Sequence, residues 1–348
     1  MTNQTIKTNE EDLEIVIFGK GYGESILVHI FDNKYILLDS FIDPLSKKPI
    51  AVKYLEDNGL TVNNIVGIIC THWDTDHIRG IADIIEQSEN KLMVYTPLVF
   101  SQKEIIKYIT FLTNSNDTSI TEFNKILNYG KNGKINLKYA LADKNLFVKE
   151  CKQNSIVALS PTDNQVDEYI KKLILPKKGD IKNTISPERN ELSLVVYINA
   201  IIDSVLLGAD MENSNIGGWD EIANNFAYEK CHLYKIPHHG SVTGHNDKVW
   251  ENLVDKPISI ITRFNPKQLP TNEMINKIKN LSSKTYIVGG QAKKDKKLTT
   301  AIRHTNSYNS SVFNIVDSSV GYVRCLKRRN ENKWEIYSFG HVEEYNSN

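Results

Sequence analysis

Thr71-His72-Trp73-Asp74-Thr75-Asp76-His77-Ile78-Arg79-Gly80 is the stretch that decides how this chain is read. Two imidazoles and two carboxylates lie between His72 and His77. Along a strand such side chains would alternate between two faces. On a tight loop ahead of a helix they can converge on one point, which is what a metal ion needs. Capping of a helix by Asp74 or Asp76 is the simpler alternative. A cap uses one acid, however, and leaves two histidines unexplained. Upstream, Ile65 to Cys70 reads as a buried strand running into the cluster, and downstream Ile78 to Glu86 has helical periodicity. The cluster therefore belongs on a strand-to-helix loop, where α/β folds tend to place their chemistry.

Working outward, the chain before the cluster reads as strands over Leu13 to Phe18, Ser25 to Phe31 and Tyr35 to Leu38, then a helix over Ile50 to Asn58. After it come a strand over Lys91 to Tyr95 and helices over Lys103 to Thr113 and Ile120 to Tyr129, which form an insertion at about 100–134. The second half repeats the style. Strands are expected over Ser155 to Leu159, Leu192 to Ile198, Ser204 to Leu207, His232 to Ile236 and Ile258 to Ile261, with a closing hairpin of Gly321 to Leu326 and Trp334 to Phe339. Helices are expected over Asp167 to Leu175 and Asn272 to Lys279, and a polar loop over Lys177 to Asn190. Two strand-rich halves with intervening helices predict a layered α/β sandwich, one domain over 13–345 behind a disordered lead-in at 1–12.

The totals narrow the partners. Lysine and arginine number 42, balanced by 42 acids, so wholesale coating of DNA or membrane is not expected, although a local basic groove is allowed. No apolar run approaches the ~20 residues of a membrane span, and the polar start is unlike a secretory signal. Cys70, Cys151, Cys231 and Cys325 are scattered without zinc-knuckle or disulfide spacing, which suits a reducing cytoplasm.

Beyond the residue logic, the His72–Gly80 stretch resembles the signature loop of metallo-β-lactamase-fold hydrolases, in an HxDxDH form similar to the hydrolase domain of ComEC-type DNA-uptake channels. Gly21-Tyr22-Gly23-Glu24-Ser25 resembles that family's GQGDS turn, Ile36-Leu37-Leu38-Asp39 its ILID strand, and Ser193-Leu194-Val195-Val196 its SLVL strand. Leu206-Leu207-Gly208-Ala209-Asp210 resembles LLTGD, and Pro237-His238-His239-Gly240-Ser241 the HHGS segment. The resemblance implies an αββα sandwich with a helical insertion after about the fifth strand, holding one or two divalent ions. His72 and Asp74 would face the first ion, and Asp76 and His77 the second. His238 or His239 would join the second, with a lean to His238, and Asp210 would bridge the two ions.

Two departures qualify this ligand set. Ser160 stands where the family ends a strand in histidine, and Gln268 and Leu269 fill the region of a late histidine. The remaining carboxylate-rich set admits Mn²⁺ or Mg²⁺ as well as Zn²⁺.

The implied reaction is metal-assisted hydrolysis with a metal-activated water as nucleophile, oriented by Asp76. His245 or Ser241 would assist the leaving group, and Trp73 and Ser241 would contact substrate. His29, His232, His304 and His341 read as packed or surface histidines. Lys293 to Lys297 and Lys327-Arg328-Arg329 are the densest basic runs, which would steer a polyanion if they flank the cleft. The first expectation is a free phosphodiesterase or nuclease acting on nucleic acid or nucleotide, a defence effector or toxin controlled by a protein partner bound at the insertion. The alternatives are a small-molecule hydrolase (lactone, thioester or cyclic nucleotide) and a non-catalytic binding module.

Overall fold

Turn residues and short apolar runs build two sheets that pack face to face in a computed structural model describing residues 8–9, 11–101, 118–151, 154–172, 189–214, 217–291 and 320–346. The first sheet has the order β15-β14-β1-β2-β3-β4-β5-β6. Its strands are β1 Leu13–Gly19, β2 Glu24–Phe31, β3 Lys34–Leu38, β4 Ile65–Ile69, β5 Met93–Pro97, β6 Asn136–Ala140, β14 Gly321–Lys327 and β15 Trp334–Gly340. The second has the order β16-β13-β12-β11-β10-β9-β8-β7. It comprises β7 Lys144–Leu146, β8 Ser155–Ala158, β9 Val196–Ala200, β10 Asp203–Leu207, β11 Cys231–Lys235, β12 Val254–Thr262, β13 Lys284–Val288 and β16 Val342–Asn346.

Because side chains alternate along a strand, each sheet buries both faces. Leu13, Ile15 and Ile17 of β1 meet Leu194, Val196, Val205, Leu233 and Ile260 of the second sheet in the central layer. Val16 and Phe18 point the other way, into an outer core with helices α1 Ile50–Asp57, α3 Ile81–Gln87 and α4 Thr118–Lys131. The second sheet's outer face packs on α6 Trp219–Asn225, α7 Asp247–Asn252 and α8 Asn272–Leu281. The layering is the expected αββα sandwich. Two further helices are α2 Thr75–Ile78 and α5 Asp163–Lys172.

In each half, four neighbouring strands run parallel: β3 to β6 in one sheet and β10 to β13 in the other. The carboxyl ends of β3, β4, β10 and β11 carry Asp39, the His72 to His77 loop, Asp210 and the His238-His239 pair, in keeping with the rule that α/β sheets present ligand sites there. The expected helix over Ile78 to Glu86 is broken into α2 and α3 at Arg79-Gly80, where Gly80 has φ 93°. That left-handed φ favours glycine at the corner, and a β-carbon there would also press on the Ile42 side chain at 2.7 Å. The expected Asp167 to Leu175 helix begins earlier, at Asp163, and its last residues, like the Lys103 to Thr113 helix and most of the Lys177 to Asn190 loop, lie outside the described residues. Strands β6, β7, β13 and β16 and helices α6 and α7 were not legible as periodic runs.

The described part of the insertion braces the metal loop. Glu122 of α4 accepts hydrogen bonds from the backbone N–H groups of Gly80 and Ala82 (3.0 and 2.9 Å), which satisfies the first turn of α3. Phe123 meets Trp73 edge-on, ring centroids 5.6 Å apart.

Candidate metal centre

The loop after β4 carries the histidines and acids into α2. Asp74 occupies the N-cap position of α2 by backbone but makes no side-chain cap bond, so capping does not explain it. Four buried groups from two sheets meet at this loop: Asp76 and His77 from α2, Asp210 after β10, and His239 after β11. His77 Nε2 lies 3.7 Å from Asp76 Oδ2 and 3.5 Å from Asp210 Oδ1. His239 Nε2 lies 3.4 Å from both Asp76 Oδ2 and Asp210 Oδ2. These distances are longer than ordinary hydrogen bonds. They match the ligand-to-ligand edge of a tetrahedral ion with bonds near 2.1 Å, about 3.4 Å.

The hydrogen-bond account agrees. The Nε2 atoms of His72, His77 and His239 and Oδ1 of Asp210 are buried without a hydrogen-bond partner. Buried polar atoms are nearly always satisfied, so the orphans of His77, His239 and Asp210 around one point, with that of His72 beside them, fit a cation. His72 Nε2 stands 4.0 Å from Asp74 Oδ2 at the side of this set, its ring centroid 4.2 Å from that of His77. His72 and Asp74 thus offer a second, thinner donor pair.

All three imidazoles are held in one tautomer by their other nitrogen. Asp39, at the end of β3, accepts from Thr71 N (2.8 Å), Thr71 Oγ1 (2.6 Å) and His77 Nδ1 (2.8 Å). Since the Thr71 hydroxyl donates to Asp39, it accepts from His72 Nδ1 at 3.0 Å. Thr262 Oγ1 donates to Glu24 (2.6 Å), so His239 Nδ1 donates to Thr262, with Oγ1 at 3.0 Å and the carbonyl at 3.1 Å. Each Nε2 is left with a lone pair facing the site, the arrangement by which carboxylates and carbonyls orient metal-binding histidines. Glu24 is held in turn by Lys235, a fully buried lysine of β11 whose ammonium also donates to Ala209 O at 3.1 Å.

Electrostatics point the same way. Burial opposes charge on His239, but Asp210 and Asp76 outweigh it and raise its pKa to about 9. His77, also buried, is raised by Asp210 and Asp76. Burial would raise Asp76, yet His77 and His239 bring it to about 2. His72 is lowered by burial and by the neighbouring His77. The two carboxylates thus seek positive charge, which protons or a metal ion can supply. Four backbone outliers frame the cluster: Asp39, Ala209, His238 and His239 have φ of 53°, 45°, 44° and 53°. Such left-handed conformations cost roughly 1–3 kcal/mol each and gather at functional sites.

The other expected residues are placed differently. His238 stays outside the cluster, its Nδ1 2.6 Å from Glu212 Oε1, and His239, not the favoured His238, is the residue that joins Asp76, His77 and Asp210. His245 has both ring nitrogens engaged, Nε2 with Asp247 (2.9 Å) and Nδ1 with Trp250 (3.3 Å), and is not brought to the metal donors. Ser241 pairs with Thr243 (2.8 Å). Trp73 is 2% exposed and packs on Phe123, so it is a core residue and not a stacking platform. Ser160 is a strand stitch: its hydroxyl donates to Ser193 O (2.6 Å) and accepts from Val195 N (2.8 Å). Leu269 forms an isolated bridge with Phe264, and Phe264 stacks on His239 (4.9 Å, 20°) in the region of the absent late histidine.

Sequence reasoning missed Asp39, Thr71, Thr262, Lys235 and Glu212 as supports, and Tyr22 as a rim residue. Tyr22 packs 5.5 Å from Phe264, and burial, then Asp76, raise its pKa. The Gly21-Tyr22-Gly23 turn next to the motif was the available signal.

Comparison with solved structures gives low-identity likenesses. Zn²⁺-bound PqqB from Methylobacterium extorquens is 9% identical, with TM-score 0.43 over 79% of this chain and 97% of that one. The short form of human tRNase Z is 10% identical, with TM-score 0.38 over 73% and 94%. A metallo-β-lactamase of Cronobacter sakazakii with a HARLDQ motif is 10% identical, with TM-score 0.38 over 62% and 74%. At such TM-scores these likenesses carry no argument about substrate. No curated protein matches the chain. The model of the Metallo-beta-lactamase superfamily matches residues 19–261, most of the chain, and with the donor set above, the chain belongs to that superfamily.

Proposed function

We propose that this chain is a metal-dependent phosphodiesterase acting on nucleic acid or nucleotides. The observation that carries the reading is the convergence of buried, partnerless imidazole Nε2 atoms on Asp76 and Asp210. His77, Asp76, Asp210 and His239 would hold the tighter ion, and His72 and Asp74, with Asp210 between, a weaker one. Bound there, a divalent ion would activate water and stabilise charge on the substrate oxygen. With Asp74 for one family histidine and Ser160 for another, the donors are rich in carboxylates, which suits the harder ions used on phosphate esters. The HxDxDH similarity to the ComEC-type domain supports the same substrate class.

The chain's own residues have separable tasks. Asp39 and Thr262 keep the Nδ1 protons of His77 and His239 away from the donors. Asp76, ionised throughout the neutral range, orients the attacking water. As the water, having given up one proton to solvent, adds to phosphorus, the opposite P–O bond breaks and the leaving oxygen takes a proton. We propose His238 as its donor, since its Nδ1 pairs with Glu212 in the turn that also carries His239. This role replaces the one first expected of His245.

Four buried, unpaired cysteines fit a reducing cytoplasm, and among the described residues no helix is long and apolar enough to cross a membrane. On the cysteine usage we propose a cytoplasmic enzyme, and for the insertion a contact with a regulatory protein partner. The test pairs metal content with cleavage of DNA, RNA and bis(p-nitrophenyl) phosphate, with Zn²⁺, Mn²⁺ or Mg²⁺ added back. Cleavage that Asp76→Ala abolishes supports the reading. Bound metal without phosphodiester cleavage replaces it with a small-molecule hydrolase, and neither metal nor cleavage with a binding module.

A further inference from the structure

At the end of the sandwich away from the metal donors, the amino ends of β10 to β13 and the β14–β15 hairpin line an open cleft of about 770 Å³. Its size is that of a small-molecule site. Asp203 organises it from a side chain 6% exposed. Oδ1 accepts from His232 Nδ1 (2.7 Å) and Oδ2 from the indole N–H of Trp334 (2.9 Å), with Lys327 Nζ 3.4 Å from Oδ2. One buried carboxylate thus fixes an imidazole, an indole and an ammonium that all line the same space and come from both sheets.

The remaining lining charges are unbalanced. Lys284 is paired with Glu344 (2.9 Å), and Lys230 donates to the carbonyl of Glu251 (2.6 Å). Lys256 and Lys333 have no partner among the described residues, and Glu229 is the lining carboxylate without a cation. Lys256 also has φ 38°, directly before Pro257, where β12 slips in register against β11. A left-handed lysine ahead of proline is a costly conformation, and bulges of this kind re-aim side chains.

We propose that this cleft binds a phosphate-bearing ligand, with phosphate oxygens on Lys256 and Lys333 and a planar ring against Trp334. Nucleotides have that chemistry, either free or at the end of a strand. The site is separate from the metal centre and does not rest on the reaction proposed for it.

Binding would be measured on the full-length protein in chelator, so that phosphate cannot bind through a metal ion. The probes are pyrophosphate, adenosine diphosphate and a short oligothymidylate, read by calorimetry and tryptophan fluorescence. Saturable, salt-sensitive binding is expected, weakened roughly tenfold or more in K256E/K333E by reversal of two lysine charges. Both lysines are exposed, and an unchanged melting temperature would show that the variant folds. Trp334→Phe should weaken adenosine diphosphate but not pyrophosphate. A strand as the phosphate source would show as tighter binding of the oligothymidylate than of adenosine diphosphate, and a free nucleotide as the reverse. Absence of binding by all three probes, or equal binding by wild type and K256E/K333E, overturns the proposal.

Discussion

Asp39→Asn isolates the tautomer argument without touching a proposed metal donor. Asp39 accepts three hydrogen bonds, one on Oδ1 from Thr71 N and two on Oδ2 from Thr71 Oγ1 and His77 Nδ1. Asparagine can keep only one acceptor oxygen. The backbone N–H of Thr71 cannot turn, so the amide oxygen must stay on that side and the NH₂ must face Thr71 Oγ1 and His77. The threonine hydroxyl can rotate to accept. His77 can accept only by moving its proton from Nδ1 to Nε2, which aims an N–H at the metal donors. Loss of such an orienting partner typically lowers metal affinity 10- to 100-fold, or about 1.4–2.8 kcal/mol. Competition with a colorimetric chelator gives the affinity, and long-range ¹H–¹⁵N spectra of the metal-free protein, taken at a pH high enough to leave His77 neutral, give the tautomer. Affinity within about threefold of wild type, with His77 still protonated on Nδ1, would refute the reasoning.

Three further outcomes are expected. Metal-free protein should lose stability as pH rises from 6.5 through about 9: the raised His239 pKa stabilises the fold fully below its unfolded value and is lost above the folded one, at most about 3 kcal/mol. Denaturant titrations across that window check this, and saturating metal should abolish the fall. Lys235→Met should cost about 3–5 kcal/mol by leaving Glu24 buried without its cation, and Glu24→Gln in the same chain should restore part of it; urea midpoints of the single and double variants decide. His238→Ala should lower the cleavage rate by about 10²–10⁴ with metal content unchanged, whereas His245→Ala should leave both near wild type, as rates alongside metal analysis would show.

The sequence was most informative where chemistry and periodicity coincide. The loop from His72 to His77, flanked by a buried strand and a helix, located the donors, and runs such as Leu13 to Phe18 and Ile65 to Cys70 located the strands. His238 and His239 could not be told apart, because both lie in left-handed turns and the distinction comes from Glu212 and Thr262, distant in the chain. Nothing local marks Lys235 as buried, since its partner Glu24 belongs to the opposite sheet. Trp73, placed among the donors, suggested a substrate contact, but Phe123 of the insertion closes over it. Asp39 ends a strand and looks like ordinary turn chemistry until Thr71 and His77 are brought to it. In each case a partner remote in sequence decides, and periodicity carries no information about such partners.

The donors are divided between the sheets, Asp76 and His77 on one side and Asp210 and His239 on the other. During synthesis the ribosome releases these two halves in order, and the first cannot enclose an ion. A nascent or truncated chain ending before His239 would carry the signature loop yet lack a full donor set. The four-residue donor set therefore exists only once the second sheet has docked on the first. A ligand or partner that slid one sheet against the other would act on both donor pairs together, without occupying the site.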